Sequence, residues 1–303
     1  MTSGQSWAIQ RVRELSPQLA ALRILLGELP VEEQALTHRM LAEILRDPRQ
    51  RENLLLYQAT KQNKVGAVVL AQLQAGRTAS IWPPRGNHSG AAKIPLLQTL
   101  LADLKTTGVL VAQALLSLDT ESDRLTLEAT GFQRAAELVY LTAERDIFPT
   151  EPPITEIEWD EITPTDDRLF RILEATYQGS LDCPLIDGWR AITDVIAGYL
   201  TVGTFRHDLW RIARVGTLDI GCVILADYPG QQQWELVYFG VHPQQRGHGW
   251  GAVIAHWLLW QARQARVQRV ILAVDSTNQP ARRVYTEAGF REFERRQVLA
   301  KKL

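Results

Sequence analysis

Cysteine, methionine and excess charge of either sign are scarce in this chain. Its 303 residues include two cysteines and two methionines, and its formal net charge at pH 7 is -1. Cys183 and Cys222 are too few for a disulfide framework and stand in no metal-ligand spacing. We therefore expect both to be small buried hydrophobic side chains, and we expect no metal site.

Long apolar runs are absent as well. The first residues contain no hydrophobic stretch of the kind found in secretory signals, and no segment approaches the roughly 18 apolar residues of a membrane helix. The 33 basic and 34 acidic side chains leave no positive excess for binding a nucleic-acid backbone or an anionic membrane. These absences predict a cytoplasmic protein without nucleic-acid or membrane partners, and they leave the oligomeric state open.

The composition is that of a folded protein with more than one hydrophobic core. Hydrophobic residues make up 46% of the chain and charged residues 22%, and a chain of this length usually divides into two domains. Three prolines between Pro149 and Pro153 stop both helices and central strands. We therefore predict domains at residues 1–148 and 155–303, joined by a proline-rich linker at 149–154.

The two halves show a weak internal repeat. Trp7 and Trp159 each lie in an opening strand-like segment, and a Gly-Phe pair (Gly131 and Gly289) precedes the last strand pattern of each half. Hairpin-like strands come first and a strand–helix–strand unit follows. This order predicts an α+β fold, with a mixed and mostly antiparallel sheet and helices on its faces.

The hydrophobic patterns place the individual elements. In the second half we predict strands at 156–162, 209–215, 219–228, 234–241, 269–275 and 290–300. The helices of that half are predicted at 166–177, 187–200, 249–265 and 278–288. The first half repeats this order with strands at 53–60, 65–72, 78–82, 109–116 and 132–142, and with helices at 91–105 and before residue 129.

A glycine-rich turn follows the strand that ends at Val241. Gly247, Gly249 and Gly251 lead from Pro243 into a helix, so backbone amides and the positive helix terminus can meet a phosphate or pyrophosphate. A connector without a ligand is the plainer alternative. A dinucleotide site is disfavoured, because the glycines come six residues after the strand and only one strand–helix–strand unit is present.

Two motifs in this region carry a resemblance to a known family. Residues 246–251 read RGHGWG, which matches the [QR]-x-x-G-x-[GA] signature of GCN5-related N-acetyltransferases (GNAT). Residues 278–290 match the family's second motif, N-x-x-A-x-x-x-Y-x-x-x-G-F. The resemblance implies two tandem acyl-CoA N-acyltransferase folds, of which the second holds acetyl-CoA.

The resemblance also implies where acetyl-CoA lies. The pyrophosphate is expected on the amides of residues 246–251, and the pantetheine arm against the strand end at 239–241. Gly240 within that strand indicates a bulge or a close backbone approach. The implied cofactor-binding residues are Phe239, Gly240, Val241, Arg246, Gly247, His248, Gly249, Trp250, Gly251, Asn278 and Tyr285.

Acetyl transfer to an amine needs a base for the amine and a proton for the departing thiolate. Glu235 is predicted on the strand face of Val237 and Phe239, where partial desolvation would raise its pKa. Its alternative is a solvent residue at a strand edge, and its position in the family favours the base. Tyr285 is the predicted general acid, with packing of a helix aromatic as the alternative.

Two further residues near this site have structural alternatives. Asn278 is expected to cap its helix as well as to contact the CoA arm. Asp182 precedes the helical region that borders the acceptor in the family, which makes it a candidate contact for the amine.

The first half lacks these residues at the matching positions. Aligning Arg85 with Arg246 puts His88 at the position of Gly249, and counting back from Gly131 puts Leu127 at that of Tyr285. Thr120 falls at the position of Asn278. We therefore expect residues 1–148 to form a degenerate, non-catalytic GNAT-like domain. This layout is similar to that of mycothiol synthases, whose C-terminal half is the active one.

The predicted function is transfer of an acetyl group from acetyl-CoA to a primary amine by direct attack in the C-terminal domain. The acceptor is a small molecule or an amine of a peptide or protein. Two alternatives stay open. One is a regulatory module that binds acyl-CoA without turnover, and the other is a transferase for a different acyl group.

Overall fold

The computed structural model describes residues 7–27, 31–86 and 90–303. The chain forms two compact units. Unit 1 comprises Met1–Arg134 together with Val298–Leu303, and unit 2 comprises Ala135–Gln297.

Unit 1 begins with a strand and helices and continues as a sheet. Its strands are β1 (Ala8–Arg11), β2 (Leu54–Lys61), β3 (Lys64–Gln74), β4 (Thr78–Arg85) and β5 (Val111–Leu116). Its helices are α1 (Leu15–Leu26), α2 (Val31–Arg46), α3 (Pro48–Arg51), α4 (Lys93–Thr106) and α5 (Glu121–Glu128). Neighbouring strands from β1 to β4 are antiparallel, whereas β4 and β5 are parallel.

Helices cover both faces of the unit 1 sheet. Helix α4 buries Leu96, Leu100 and Leu104 in one core, and a second core holds Leu22 of α1 and Leu41 of α2. Alternating side chains of the buried strands face the two cores, which is why β3 carries a nearly continuous apolar run.

Unit 2 contains the elements on which the second-half motifs lie. Its strands are β6 (Gln133–Glu144), β7 (Glu158–Glu161), β8 (Trp210–Val215), β9 (Leu218–Tyr228), β10 (Gln233–Val241), β11 (Arg269–Asp275) and β12 (Arg291–Lys302). Its helices are α6 (Asp167–Tyr177), α7 (Ile192–Tyr199), α8 (Trp250–Gln264) and α9 (Gln279–Glu287). The sheet order in this unit is β12-β6-β11-β10-β9-β8-β7.

The unit 2 sheet is antiparallel between β7 and β10 and between β11 and β6, and parallel between β10 and β11. Asp166 caps α6 by accepting a hydrogen bond from the Arg168 amide at 2.8 Å. Helix α8 packs Leu258 into the core, and Trp257 of the same helix stacks on Trp159 of β7 with ring centroids 3.7 Å apart.

The units divide the chain at a different place from the proline-rich segment. Strand β6 pairs with β11 over Leu138–Glu144, which makes most of β6 part of unit 2. The end of β12 belongs to unit 1. Residues 149–154 have no regular secondary structure, as the prolines predict, but they lie inside unit 2. Strand pairing outweighs proline content in setting these boundaries.

Most predicted elements agree with the structure within a few residues, and the mixed α+β class is confirmed. The predicted helix at 187–200 is shorter, because Gly188 has a φ of 69° and residues 187–191 form turns before α7 begins. Helices α1 and α2 were missed by the sequence analysis.

Candidate active site

Strands β10 and β11 pair along only part of their length and then separate. They pair in parallel over Gln233–Leu236 and Arg269–Leu272. A register shift against β9 follows between Leu236 and Tyr238. Among the described strands, the edge of β10 beyond this bulge has a partner only on the β9 side. Its backbone groups on the other side can therefore bond to an extended ligand.

The bulge reverses the side-chain alternation of β10. Beyond it, Tyr238 stacks on Tyr177 and Tyr199, whereas Phe239 contacts Tyr285 on the opposite face. The extra residue places Glu235 on the face of Tyr238. The prediction that Glu235 shares a face with Phe239 is therefore wrong, because strict alternation was assumed across an irregular strand.

Gly240 serves close packing, and the predicted bulge lies earlier, between Leu236 and Tyr238. A Cβ at Gly240 would lie 2.7 Å from the Thr176 Cβ and 2.8 Å from the Tyr238 hydroxyl. The Thr176 and Tyr238 hydroxyls are themselves hydrogen-bonded at 2.8 Å. The missing side chain thus lets α6 lie directly on β10.

The glycine turn presents a row of free amides at the start of α8. Gly247 and Gly249 have φ values of 83° and 82°, in the left-handed region that favours glycine. Within the described part of the chain, the backbone amides of residues 247–251 donate to no protein acceptor. A Cβ at Gly251 would lie 3.3 Å from Val284, so this glycine brings α8 close to α9. The turn has the form of an anion cradle.

The side chain of Arg246 ties this turn to α6. Its guanidinium donates to the carbonyl oxygens of Thr176 at 2.7 Å, Gly179 at 3.1 Å and Val241 at 3.1 Å. Its amide donates to the Pro243 carbonyl at 3.3 Å, so it is already used inside the turn. The free amides thus begin at Gly247, one residue later than predicted.

Glu235 accepts a hydrogen bond from the Tyr228 hydroxyl at 2.8 Å. Burial raises the pKa of Glu235 above its ordinary value, and the hydrogen bond from Tyr228 lowers it in part. A carboxylate with a raised pKa is a stronger base than an exposed one.

Tyr285 lies in the core between two aromatic rings. Its side chain is 7% exposed and contacts Phe239 and Phe290 with centroid distances of 6.3 and 5.7 Å. Burial, followed by the charge of Asp182, raises its pKa, so the phenol stays protonated at neutral pH. Its hydroxyl has no hydrogen-bond partner among the residues that the structure describes.

Asn278 caps α9 as predicted, since its Oδ1 accepts from the Ala281 amide at 3.2 Å. Burial raises the pKa of Asp182, and the nearby Asn278 side chain lowers it in part. Asp182 accepts a hydrogen bond from the Asp275 amide at 2.8 Å, and Asp275 accepts from the Cys183 amide at 3.2 Å. This network joins the loop after α6 to the end of β11, a link that sequence spacing did not reveal.

A cavity of about 520 Å³ lies beside the strand opening. Its apolar wall includes Tyr177, Ile186, Ile192, Val195 and Tyr238. Its charged groups are Glu174, Asp182, Asp187 and Arg190. Of its lining, the sequence analysis named only Asp182 and the helical region that follows it, because the wall combines α6, the turns before α7 and three strands.

The corresponding region of unit 1 is built differently. Both terminal nitrogens of Arg85 pair with the carboxylate of Asp123. Leu127 is fully buried in the core where unit 2 has a phenol, and the Thr120 hydroxyl donates to the Ser117 carbonyl at 2.7 Å. His88, at the position matched to Gly249, lies outside the described residues.

In the described part of the chain, no group of three or more His, Cys, Asp and Glu side chains is placed to hold a metal ion. Cys222 is buried, as expected, whereas Cys183 is half-buried beside the cavity. No helix among the described residues is long and apolar enough to span a membrane.

Comparison with known proteins assigns the second half of the chain to a family. Residues 151–290 match the acetyltransferase (GNAT) family. This segment therefore carries a domain of the GNAT N-acetyltransferase family, as the two motifs predict. No curated protein sequence matches the chain significantly.

Solved structures resemble the chain over nearly its whole length at low identity. A GCN5-related N-acetyltransferase from Sphaerobacter thermophilus is 14% identical with a TM-score of 0.58, covering 98% of this chain and 95% of that one. A tandem GNAT protein from the clavulanic acid biosynthesis pathway is 14% identical with a TM-score of 0.52, covering 98% of each chain.

A third structure contains a GCN5-related glucosamine N-acetyltransferase region of a fungal multi-domain β-N-acetylglucosaminidase. It is 13% identical with a TM-score of 0.62, covering 99% of this chain and 38% of that one. At such identities these likenesses show the fold alone. They confirm the tandem GNAT-like fold class.

Proposed function

We propose that unit 2 transfers an acetyl group from acetyl-CoA to a primary amine. The observation that carries this proposal is the row of free amides at residues 247–251, beside the parted strands β10 and β11, in a domain of the GNAT family. Every helix start leaves its first amides unbonded, and the turn with its two left-handed glycines extends this row by the three amides of residues 247–249.

The residues present fit the elongated shape and the charge of acetyl-CoA. The amides of the glycine turn suit the pyrophosphate, since the N-terminus of α8 adds partial positive charge. The open edge of β10 at 237–241 suits the amide groups of the pantetheine arm. The Oδ1 of Asn278 is already bonded to the Ala281 amide, so we assign this residue to capping α9.

Glu235 and Tyr285 supply the proton transfers in this proposal. The acceptor releases its ammonium proton to solvent and attacks as the neutral amine. Glu235 takes the second proton from the nitrogen, directly or through a water, while the new C–N bond forms. As the thioester C–S bond breaks, the Tyr285 hydroxyl gives its proton to the sulfur. The raised pKa of each group suits its role, because the carboxylate gains basicity and the phenol arrives protonated.

Unit 1 has a structural role in this proposal. The Arg85–Asp123 pair and the buried Leu127 replace the groups that unit 2 would use for binding and proton transfer. We assign unit 1 to supporting the active unit.

The roles of Glu235 and Tyr285 can be tested by acetyl-CoA turnover, measured as thiol release with a panel of primary amines. Glu235→Gln and Tyr285→Phe should each lower kcat by about 10²-fold or more, while acetyl-CoA binding by calorimetry stays within a few-fold of wild type. Acetyl-CoA binding with no turnover on any amine would favour the regulatory alternative. Unchanged kcat in both variants would contradict the assigned roles.

A further inference from the structure

We infer that the acceptor is a small primary amine that enters as a cation, has an apolar ring-sized body and carries no carboxylate. This inference rests on the proposed function, because it takes the 520 Å³ cavity beside the strand opening as the acceptor pocket. The volume falls within the about 300–1,000 Å³ that small-molecule sites have.

The apolar body is inferred from the cavity wall. Tyr177 and Tyr238 present aromatic surface, and Ile186, Ile192 and Val195 add aliphatic surface. The two tyrosine rings stack with centroids 5.3 Å apart. Such a wall gains free energy by covering an aromatic or branched aliphatic group, and it offers few partners to a sugar or a polyamine chain.

The wall is also held rigidly. The Tyr177 hydroxyl is 2.5 Å from the Tyr199 hydroxyl, and Tyr199 in turn stacks on Tyr238. The hydrogen bond between the Thr176 and Tyr238 hydroxyls fixes the third ring against α6. A preformed aromatic surface loses little entropy on binding and so favours a ligand of matching shape.

The positive charge is inferred from the imbalance of charged groups. Glu174, Asp182 and Asp187 face the cavity with Arg190 as the one cation among its lining residues. Three carboxylates attract an ammonium group and repel an acceptor that carries its own carboxylate. This excludes free amino acids more strongly than simple amines.

Asp182 is the carboxylate that places the reactive nitrogen. The Asp275 amide donates to its Oδ1 at 2.8 Å, which fixes the orientation of the carboxylate. Asp182 lines the cavity together with Tyr238 of β10 and Ala273 of β11, so it stands near the opening between these two strands. An ammonium group bonded to Asp182 therefore lies on the cavity side of this opening. This makes Asp182 a substrate-binding residue that orients the amine.

The test compares acceptors that differ in one feature. With acetyl-CoA and the full chain, 2-phenylethylamine should have a kcat/KM about 100-fold above that of L-phenylalanine, which adds only a carboxylate. Spermidine tests a cation without an apolar body, and an acetylatable lysine peptide tests a macromolecular acceptor. Both should have a kcat/KM well below that of 2-phenylethylamine.

The role of Asp182 is tested by Asp182→Asn, which keeps an oxygen to accept from the Asp275 amide. We expect the KM for 2-phenylethylamine to rise about tenfold or more, with the KM for acetyl-CoA unchanged. Glu156→Gln, a charge change outside the cavity lining, is the control and should leave both values unchanged. An equal rise of the KM for 2-phenylethylamine in both variants would contradict the assignment of Asp182 as the residue that binds the amine.

Direct binding separates this inference from the proposed function. Calorimetry of 2-phenylethylamine with the protein alone should show binding that Asp182→Asn weakens. Such binding without any acetyl transfer would support the inferred class and contradict the proposed function. Transfer to L-phenylalanine or to the lysine peptide at equal or greater efficiency would support the function and overturn the inferred class. If neither binding nor transfer is observed, both the inferred class and the proposed function are overturned.

Discussion

Replacement of Gly240 by alanine tests how closely α6 packs on β10. The added methyl group would lie 2.7 Å from the Thr176 Cβ and 2.8 Å from the Thr176 and Tyr238 hydroxyl oxygens. All three distances are below van der Waals contact, and the rigid helix backbone and the hydrogen bond between the hydroxyls limit any relief. Overpacking of this kind costs about 1–3 kcal/mol.

Scanning calorimetry measures this cost as a change in the unfolding temperature. For a unit of this size, about 2–4 °C is lost per kcal/mol, so the transition of unit 2 should fall by roughly 2–12 °C. Gly230→Ala is the matched control, because a Cβ there would have no non-neighbouring atom of the described residues within 4 Å and the φ of Gly230 is not positive. If Gly240→Ala unfolds at the temperature of Gly230→Ala, the packing argument is refuted.

Three further variants test the turn and the base. Gly249→Ala should lower the free energy of unfolding in urea by about 1–2 kcal/mol, because the φ of 82° strains any side chain. A Cβ there would meet no non-neighbouring atom of the described residues within 4 Å, so an unchanged free energy of unfolding would contradict the left-handed turn. Arg246→Lys keeps the charge but loses the planar fork to three carbonyls, so unfolding should become easier by about 1–3 kcal/mol. If this variant were as stable as the wild type, the guanidinium hydrogen bonds would contribute nothing to the free energy of unfolding. Tyr228→Phe removes the hydrogen bond that lowers the Glu235 pKa, so this pKa should rise. Because the base works only when deprotonated, the acidic limb of the kcat–pH profile should move to higher pH. A limb that stays in place or moves down would contradict Glu235 as the base.

The fold was predictable from the sequence where the pattern was local. Strand β11 and the cap of α9 at Asn278 agree with the prediction, because apolar runs and Asn-x-Pro signals act within a few residues. Helices α1 and α2 were missed, although Leu22, Leu25 and Leu26 of α1 form a helical apolar stripe. A systematic search for period-3.6 patterns in the first 50 residues would have found them.

The site was less predictable, because it depends on contacts between distant segments. The bulge after Leu236 leaves no signature in the residue types, yet it decides which face Glu235 occupies. The side chain of Arg246 reaches the Thr176 carbonyl on α6, about seventy positions away, and Asp182 meets Asp275 only in the folded unit. Motifs located the glycine turn, whereas the cavity wall required the three-dimensional arrangement.

The most direct test of the account is the binding of acetyl-CoA measured by isothermal titration calorimetry. The wild-type chain should bind one acetyl-CoA. Gly249→Glu should weaken binding about 100-fold or more, because a carboxylate would stand among the amides meant for the pyrophosphate. Gly249→Ala separates backbone strain from charge. Gly90→Glu places the same charge in unit 1, where a Cβ would have no neighbouring side chain or backbone within 4 Å among the described residues.

The account predicts that Gly90→Glu binds like the wild type and that Gly249→Ala keeps most of the affinity. Retained binding in Gly249→Glu, or loss of binding in Gly90→Glu, would contradict the claim that the glycine turn of unit 2 holds acetyl-CoA.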